Sequence, residues 1–240
     1  DHSVFKPWFR ELTDVAQIVY LDLRGSGRSD EPADSAHSLA AWADDVAAVC
    51  DTLGIERPVV LGNSAGGMVA AMYAIRHPDH PAKVVLSSTQ ARLDPERCLA
   101  VFERLGGSEA RTAARRALIE EGDLASFADY ARTCMPLYNR VPNPNPRHSI
   151  FREPCATAFH ELGGIWHTMD FLADLSAIRC PTLVLAGEDD PVTPIEDSED
   201  IVEHLDPSIV RFERFERAGH GVWIDDAPRA FAVLREFLSS

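Results

Sequence analysis

A serine with glycine two residues to each side, Gly62-x-Ser64-x-Gly66, is the stretch of this sequence best suited to chemistry. An apolar, β-branched run (59–61) precedes it and a helical pattern (68–74) follows it, so we expect the serine on a strand-to-helix turn. The glycines are expected to relieve crowding where the serine is held in a strained conformation. A hydroxyl presented in this way is suited to attack on a carbonyl carbon.

Two further polar residues follow predicted strands. Asp190 comes after the buried run 181–186, and His220 comes just after the run 209–215. Because the carboxyl ends of parallel strands meet at one edge of a sheet, we expect both side chains near Ser64. His220 would then take the proton of the serine hydroxyl and later protonate the leaving group. An aspartate would orient the imidazole and stabilise its charged form.

The elements that must position these residues follow from the hydrophobic pattern. A helix is expected to begin after Ser38, which caps its first turn, and to end at Gly54. Apolar runs separated by such helices predict a mostly parallel sheet with helices on its faces, an α/β fold. The predicted strands are 17–21, 59–61, 83–87, 181–186 and 209–215.

The strand pattern disappears in the middle of the chain. Asp94-Pro95 predicts the start of a helix that Gly106-Gly107 ends. A second helix is expected from Ser108 and a third from Asp123 to Cys134, and the stretch 151–169 is expected to be helical with an interruption at Gly163-Gly164. The proline-rich stretch 142–146 is predicted to be a stiff connector.

We therefore predict a core made of residues 1–90 and 177–240, with residues 91–176 forming an all-helical cap inserted between sheet strands. A cap over the carboxyl edge of the sheet would shape the substrate pocket and exclude water.

Composition limits the classes of function. The 240 residues are 45% hydrophobic and 25% charged, as in globular proteins. The formal net charge of −15 argues against nucleic acid or an anionic membrane surface as a partner. No stretch is long and apolar enough to span a membrane, and the first residues do not resemble a signal peptide. The five cysteines are scattered without CxxC spacing, so we predict reduced thiols and a cytoplasmic protein.

Three features that suggest a cofactor or a metal have simpler interpretations. The glycine-rich loop at 25–27 lacks the spacing of a phosphate-binding motif. His160 and His167 are seven residues apart, which matches no metal motif, and the acidic run 196–200 lacks the glycine of a calcium loop. We predict no cofactor and no metal.

With these motifs the chain resembles the α/β-hydrolase superfamily over nearly its whole length. The resemblance rests on the segments 62–67, 187–194 and 218–221, and on the order serine, aspartate, histidine. It implies that the catalytic acid is the third residue after Gly187, which selects Asp190, with Asp189 as the alternative. It also implies that the backbone N–H of Ala65 is an oxyanion donor.

The segment 20–29 is similar to that of proline iminopeptidase-like members, which have a helical cap in a similar position. Such peptidases tend to have a tryptophan where this chain has Ala65, and some have a glutamate where it has Pro191. These departures favour a carboxylesterase that cleaves small esters through an acyl-enzyme. An aminopeptidase acting on short peptides is the alternative, with Glu153 or Glu161 as anchors for the substrate amine.

The resemblance further implies strands ahead of the first helix and a His-Gly-Gly-Pro-Gly loop that supplies half of the oxyanion hole. This sequence starts at Asp1, about where that loop should end. One strand of the family would lie between 17–21 and 59–61. We therefore expect an N-terminally incomplete α/β hydrolase in which Val19 and Val60 are not on paired strands. A binding protein that keeps the fold, or an inactive fragment, is accordingly the non-enzymatic alternative.

Overall fold

A computed structural model describes residues 1–31, 37–145 and 153–240. Its sheet has four parallel strands in the order β1-β2-β3-β4. The strands are β1 (Val59–Asn63), β2 (Lys83–Ser87), β3 (Thr182–Gly187) and β4 (Val210–Phe215). Every residue of β3 is buried, as expected for the interior of a parallel sheet. The predicted fold class is confirmed.

Helices connect the strands and form the long insertion between β2 and β3. In chain order they are α1 (Lys6–Phe9), α2 (Leu39–Leu53), α3 (Ala65–Arg76), α4 (Pro95–Arg115), α5 (Leu124–Thr133), α6 (Glu153–His160), α7 (Ile165–Thr168), α8 (Ile195–His204), α9 (Val222–Asp225) and α10 (Ala227–Ser239). A π-helical turn covers Arg116–Glu120, and 3-10 turns cover His2–Val4, Arg10–Leu12, Met135–Leu137 and Ala173–Ala177. The insertion α4–α7 matches the predicted helical cap in kind, and its domain boundaries stay a prediction.

The two faces of the sheet bury separate apolar clusters. Because successive strand residues point to opposite faces, Val84 and Leu86 of β2 join the cluster beneath α2 and α3, while Val85 joins the other. That second cluster packs the N-terminal turns and α10 against the sheet, with Phe9 in edge contact with Phe231 (5.7 Å between ring centroids). Both faces of the sheet are therefore covered, so we expect a functional site at the carboxyl ends of the strands.

The limits of α2 confirm the predicted helix signals. The Ser38 hydroxyl accepts a hydrogen bond from the Ala41 N–H (3.1 Å), and Gly54 ends the helix in the left-handed region (φ 67°). In the insertion, two helices meet at Gly107, whose backbone is not helical (φ 72°, ψ −169°), so the predicted helix end at Gly106-Gly107 is confirmed inside the range given for α4. The helix predicted over 151–169 is α6 and α7 on either side of Gly163 (φ 83°). Residues 151 and 152, and residue 146 of the predicted connector, lie outside the described residues.

The strand predicted at 17–21 is wrong in this structure. The segment runs without a ladder partner, and β1 is an edge strand. Val19 is 48% exposed and Val59 of β1 is 40% exposed. A run of apolar residues becomes a strand only when a neighbour pairs with it, and Val19 is not paired with Val60. A further strand between them stays a prediction.

None of the described helices has the length and apolar character needed to span a bilayer. All five cysteines are free thiols and buried. Burial raises the pKa of the Cys98 thiol well above its usual range, which favours the neutral form.

Candidate active site

Ser64 lies at the sharp turn between β1 and α3. Its backbone has φ 54° and ψ −125°, a conformation that costs a non-glycine residue about 1–3 kcal/mol. The Ser64 N–H donates to the carbonyl oxygen of Ser87 at the end of β2 (3.0 Å). The Ser64 carbonyl accepts from the Thr89 hydroxyl (2.8 Å) and from the Gly67 N–H (2.9 Å). Neighbouring strand ends thus hold the strained turn in place.

The glycines around Ser64 differ in what they make possible. A Cβ at Gly62 would overlap the carbonyl oxygen of Gly66, and a Cβ at Gly67 would lie 2.5 Å from the Cβ of Thr89. A Cβ at Gly66 would meet nothing within 4 Å. The prediction that both flanking glycines relieve crowding therefore holds for Gly62 and is wrong for Gly66. Gly67, which the motif leaves out, is the second glycine that close packing requires.

Asp190 follows β3 and is completely buried, at 0% exposure. One carboxylate oxygen accepts hydrogen bonds from the N–H groups of Val192 (2.8 Å) and Thr193 (3.0 Å), and the other accepts from the Thr193 hydroxyl (2.9 Å). A buried carboxylate needs such donors to offset the loss of water. The turn after β3 therefore holds a charged group in a fixed orientation.

His220 is the partner that this carboxylate faces. The Nδ1 of His220 lies 2.9 Å from Oδ2 and 3.1 Å from Oδ1 of Asp190. An N–H on Nδ1 that donates to the carboxylate leaves Nε2 of the neutral ring as an acceptor; we assign this tautomer from the hydrogen bond. The His220 ring also packs edge-to-face against the Tyr138 ring, with 5.5 Å between the ring centroids.

The neighbouring Asp189 has different partners. Arg104 of α4 donates to its carboxylate (2.5 Å), and Arg140 lies 3.9 Å from it. Both cations belong to the helical insertion, so Asp189 joins the insertion to the end of β3. The hydrogen bond to His220 is made by Asp190.

Two of the predicted site residues, Asp190 and His220, are in direct contact. Ser64 follows β1 at the same sheet edge, and it makes no hydrogen bond to His220 within the described chain. Ala65 is the first residue of α3, and its backbone N–H donates to no described residue. An unsatisfied N–H at a helix start can stabilise an anion.

A buried polar cluster beside this edge has no signal in the sequence. Asp197 of α8 is 2% exposed and lies 2.9 Å from Nη1 of Arg97. With the Gln90 amide oriented from its hydrogen bonds, its nitrogen donates to Asp197 (3.2 Å) and its oxygen accepts from Nε1 of Trp166 (3.0 Å). Burial raises the pKa of Asp197 to about 7, although Arg97 acts in the opposite direction. Gln90 thus connects α8 to the insertion.

One group of described residues, Asp1, His2 and Asp22, has side-chain atoms close enough to hold a cation. The Asp22 carboxylate already accepts hydrogen bonds from the N–H groups of His2 (2.7 Å) and Arg28 (3.0 Å). These donors satisfy the carboxylate in a structural role, so the group does not indicate a metal centre.

Comparison with known proteins identifies the family. A family model described as alpha/beta hydrolase fold matches residues 2–227. The chain is 29% identical over 246 residues to the putative carbamate hydrolase RutD of Caulobacter sp. (strain K31), covering 99% of this chain and 86% of that protein. It is 27% identical over 232 residues to the 2-hydroxymuconate semialdehyde hydrolase of Pseudomonas putida, covering 95% and 78%.

Among solved structures, the proline iminopeptidase of Mycobacterium smegmatis superposes with a TM-score of 0.76 at 24% identity, covering 99% of this chain and 85% of that one. This similarity concerns the fold alone. The resemblance inferred from the motifs is confirmed: the chain belongs to the α/β-hydrolase fold family.

Proposed function

We propose that the protein is a serine hydrolase that cleaves small carboxylic esters, with Ser64 as nucleophile, His220 as general base and Asp190 as the acid that orients it. The hydrogen bond between His220 and the completely buried Asp190 carries the proposal. That pair holds Nδ1 and leaves Nε2 to receive a proton, which is what activation of a hydroxyl requires.

The reaction follows from these roles. Ser64 Oγ attacks the ester carbonyl while Nε2 of His220 takes its proton, and the Ala65 N–H stabilises the oxyanion. His220 returns the proton to the departing alcohol, which leaves an acyl-enzyme on Ser64. Water then attacks the acyl carbon while His220 takes its proton. The bond to Ser64 Oγ breaks, Oγ receives that proton from His220, and the carboxylic acid leaves.

The acidic groups beside the triad favour an ester over the N-terminal amine of a peptide. An aminopeptidase needs a free carboxylate to bind the substrate's ammonium group. Asp189 is occupied by Arg104, and Glu188 by Arg214 (3.2 Å). Of the two glutamates expected as amine anchors, Glu161 in the insertion is exposed, and the side chain of Glu153 lies outside the described part of the chain. A carbamate, the substrate type in the name of the RutD relative, presents a similar carbonyl carbon and belongs in the same set of tests.

A fluorophosphonate probe tests the proposal directly. We expect covalent labelling of the intact protein at Ser64, located by peptide mass spectrometry, and no labelling of Ser64→Ala. Absence of labelling in the folded wild-type protein would reject a serine hydrolase and favour a binding protein with this fold.

The substrate class is then compared on the same preparation. We expect turnover of p-nitrophenyl acetate or butyrate to exceed that of proline p-nitroanilide and of a p-nitrophenyl carbamate. Preference for the anilide would reverse the order of ester and peptide. Preference for the carbamate would retain the triad and change the acyl class.

A further inference from the structure

The loop that carries His220 is joined to the helical insertion by backbone contacts. The His220 N–H donates to the carbonyl oxygen of Tyr138, just after the 3-10 turn Met135–Leu137 (2.7 Å). A Cβ at Gly219 would overlap that same carbonyl oxygen. The two segments therefore approach as closely as a glycine backbone permits.

Asp225 at the end of α9 ties the same two segments together a second time. Its Oδ2 accepts from the Gly219 N–H (2.7 Å), and its Oδ1 accepts from the N–H groups of Arg140 (2.8 Å) and Val141 (3.0 Å). Hydrogen bonds to an ionised acceptor are about twice as strong as neutral ones. A single carboxylate thus connects the His220 loop with chain about 85 residues away.

The connection continues into the helices of the insertion. The Tyr138 hydroxyl lies 2.7 Å from that of Tyr130 on α5, and the Tyr130 ring packs edge-on against Phe102 of α4 (5.7 Å). Tyr138 also contacts the His220 ring, so the imidazole touches a side chain that α4 and α5 hold in place. A shift of the insertion would therefore move the surroundings of His220.

We propose that Asp225 is a positioning residue, which locks the His220 loop to residues 138–141 so that the seating of the insertion sets the alignment of His220. The proposal rests on the proposed function, because alignment has a consequence only if His220 is the base. Asp225 does not touch the reacting atoms; it acts through Gly219 and the Tyr138 segment.

Replacement of Asp225 by asparagine separates the two connections. One carboxamide oxygen cannot accept from the Gly219 N–H on one side and from Arg140 and Val141 on the other, and its NH₂ can accept from neither. We expect kcat for the p-nitrophenyl ester to fall about 10- to 100-fold, as for small displacements of a catalytic group, with KM nearly unchanged. Asp225→Glu retains both acceptor oxygens and should recover part of the activity.

Asp226→Asn is the matched control, since among the described residues the Asp226 side chain accepts from one donor, the Arg229 N–H at the start of α10 (3.3 Å). Two measurements independent of turnover complete the test. In Asp225→Asn the amides of Gly219, Arg140 and Val141 should exchange hydrogen faster, and the NMR signal of the His220 Nδ1 proton should shift or broaden.

The outcomes separate the two proposals. Unchanged kcat, amide exchange and Nδ1 signal in Asp225→Asn, or an equal loss of kcat in Asp226→Asn, would overturn the role of Asp225. Absence of fluorophosphonate labelling in the wild type would reject the proposed hydrolase. The amide exchange would still decide whether Asp225 connects the loop to the insertion.

Discussion

Two adjacent aspartates after β3 show how much chemistry depends on the direction of a single side chain. Asp190 faces His220, whereas Asp189 faces Arg104. We expect Asp190→Asn to lower kcat by about 10⁴, because the amide cannot hold the imidazole in the required tautomer. Asp189→Asn should change kcat only a few-fold. Ester kinetics of the two variants measure the difference. A larger loss of kcat in Asp189→Asn would show that Asp189, and not Asp190, orients His220.

The glycines around Ser64 allow an equally local test. An added methyl group at Gly62 would overlap the Gly66 carbonyl, whereas one at Gly66 meets open space. Overpacking of this kind costs about 1–3 kcal/mol or more. We expect Gly62→Ala to lower the melting temperature clearly and Gly66→Ala to leave it close to that of the wild type, as measured by calorimetry. Equal melting temperatures would show that the turn relaxes to accept the methyl group.

The residues predicted from sequence and those missed differ in the range of their contacts. Ser64 is marked by its neighbours in the chain, and His220 and Asp190 by their positions just after apolar runs. Tyr138 and Asp225 contribute through backbone groups about 80 residues away, and no local pattern contains that information. The pairing of His220 with an aspartate was predicted from the sequence, with Asp190 chosen by the family resemblance, and the structure adds the hydrogen bond between the two side chains.

Among the elements, helices with capping residues were predicted better than the segment 17–21, which has no neighbouring strand to pair with. Ser38 and Gly54 act within one turn of the chain, so their signals are local. The run 17–21 has the composition of a strand, yet a strand exists only as part of a ladder. Gly107, which the sequence marks as the end of a helix, has non-helical φ and ψ and divides α4 into two helices, so this signal is local as well.

The contact of α8 with α4 and α7 predicts a pH dependence of stability. Asp197 of α8 meets Arg97 and Gln90. Burial raises its pKa to about 7 from 3.8, and the charges of Asp200 and Asp190 act in the same direction. The native state therefore holds a proton that the unfolded chain releases above about pH 4. The stability from this group is complete below the unfolded pKa and is lost as the pH rises through 7.

Urea unfolding at pH 5 and pH 8 measures this effect. Relative to Asp197→Asn, the wild type should lose on the order of 2 kcal/mol of unfolding free energy between the two pH values. Asp200→Asn is the control, since it removes another partner of Arg97 and keeps Asp197. It should retain most of the slope of the wild type, because burial is the main cause of the raised Asp197 pKa and the charge of Asp200 adds to it. Parallel pH profiles for the wild type and Asp197→Asn would contradict the shifted pKa.

For the whole molecule, the insertion and the sheet meet through polar as well as apolar contacts. Arg104 binds Asp189, Gln90 connects Asp197 with Trp166, and Asp225 binds the segment after Tyr138. These contacts lie at the sheet edge that holds the proposed site. Hydrogen bonds are directional and apolar burial is not. Several such bonds therefore restrict the insertion to a smaller range of orientations relative to the sheet than apolar burial alone would.

The surplus of negative charge is a property of the molecule as a whole. The chain has 38 acidic and 23 basic residues, so like charges repel in the compact state. The test uses a variant in which three exposed glutamates are changed to glutamine. None of the three forms an ion pair with another described residue: Glu56, Glu120 and Glu203. At low ionic strength we expect its melting temperature to rise by a few degrees, because repulsion reaches farther when the Debye length is long.

The same substitution at three exposed arginines without such a pair (Arg10, Arg57 and Arg217) should lower the melting temperature. Both shifts should shrink in 0.5 M salt, where screening is strong, by about the ratio of the Debye lengths. Shifts of the same sign in the two variants would show that local contacts outweigh the net charge.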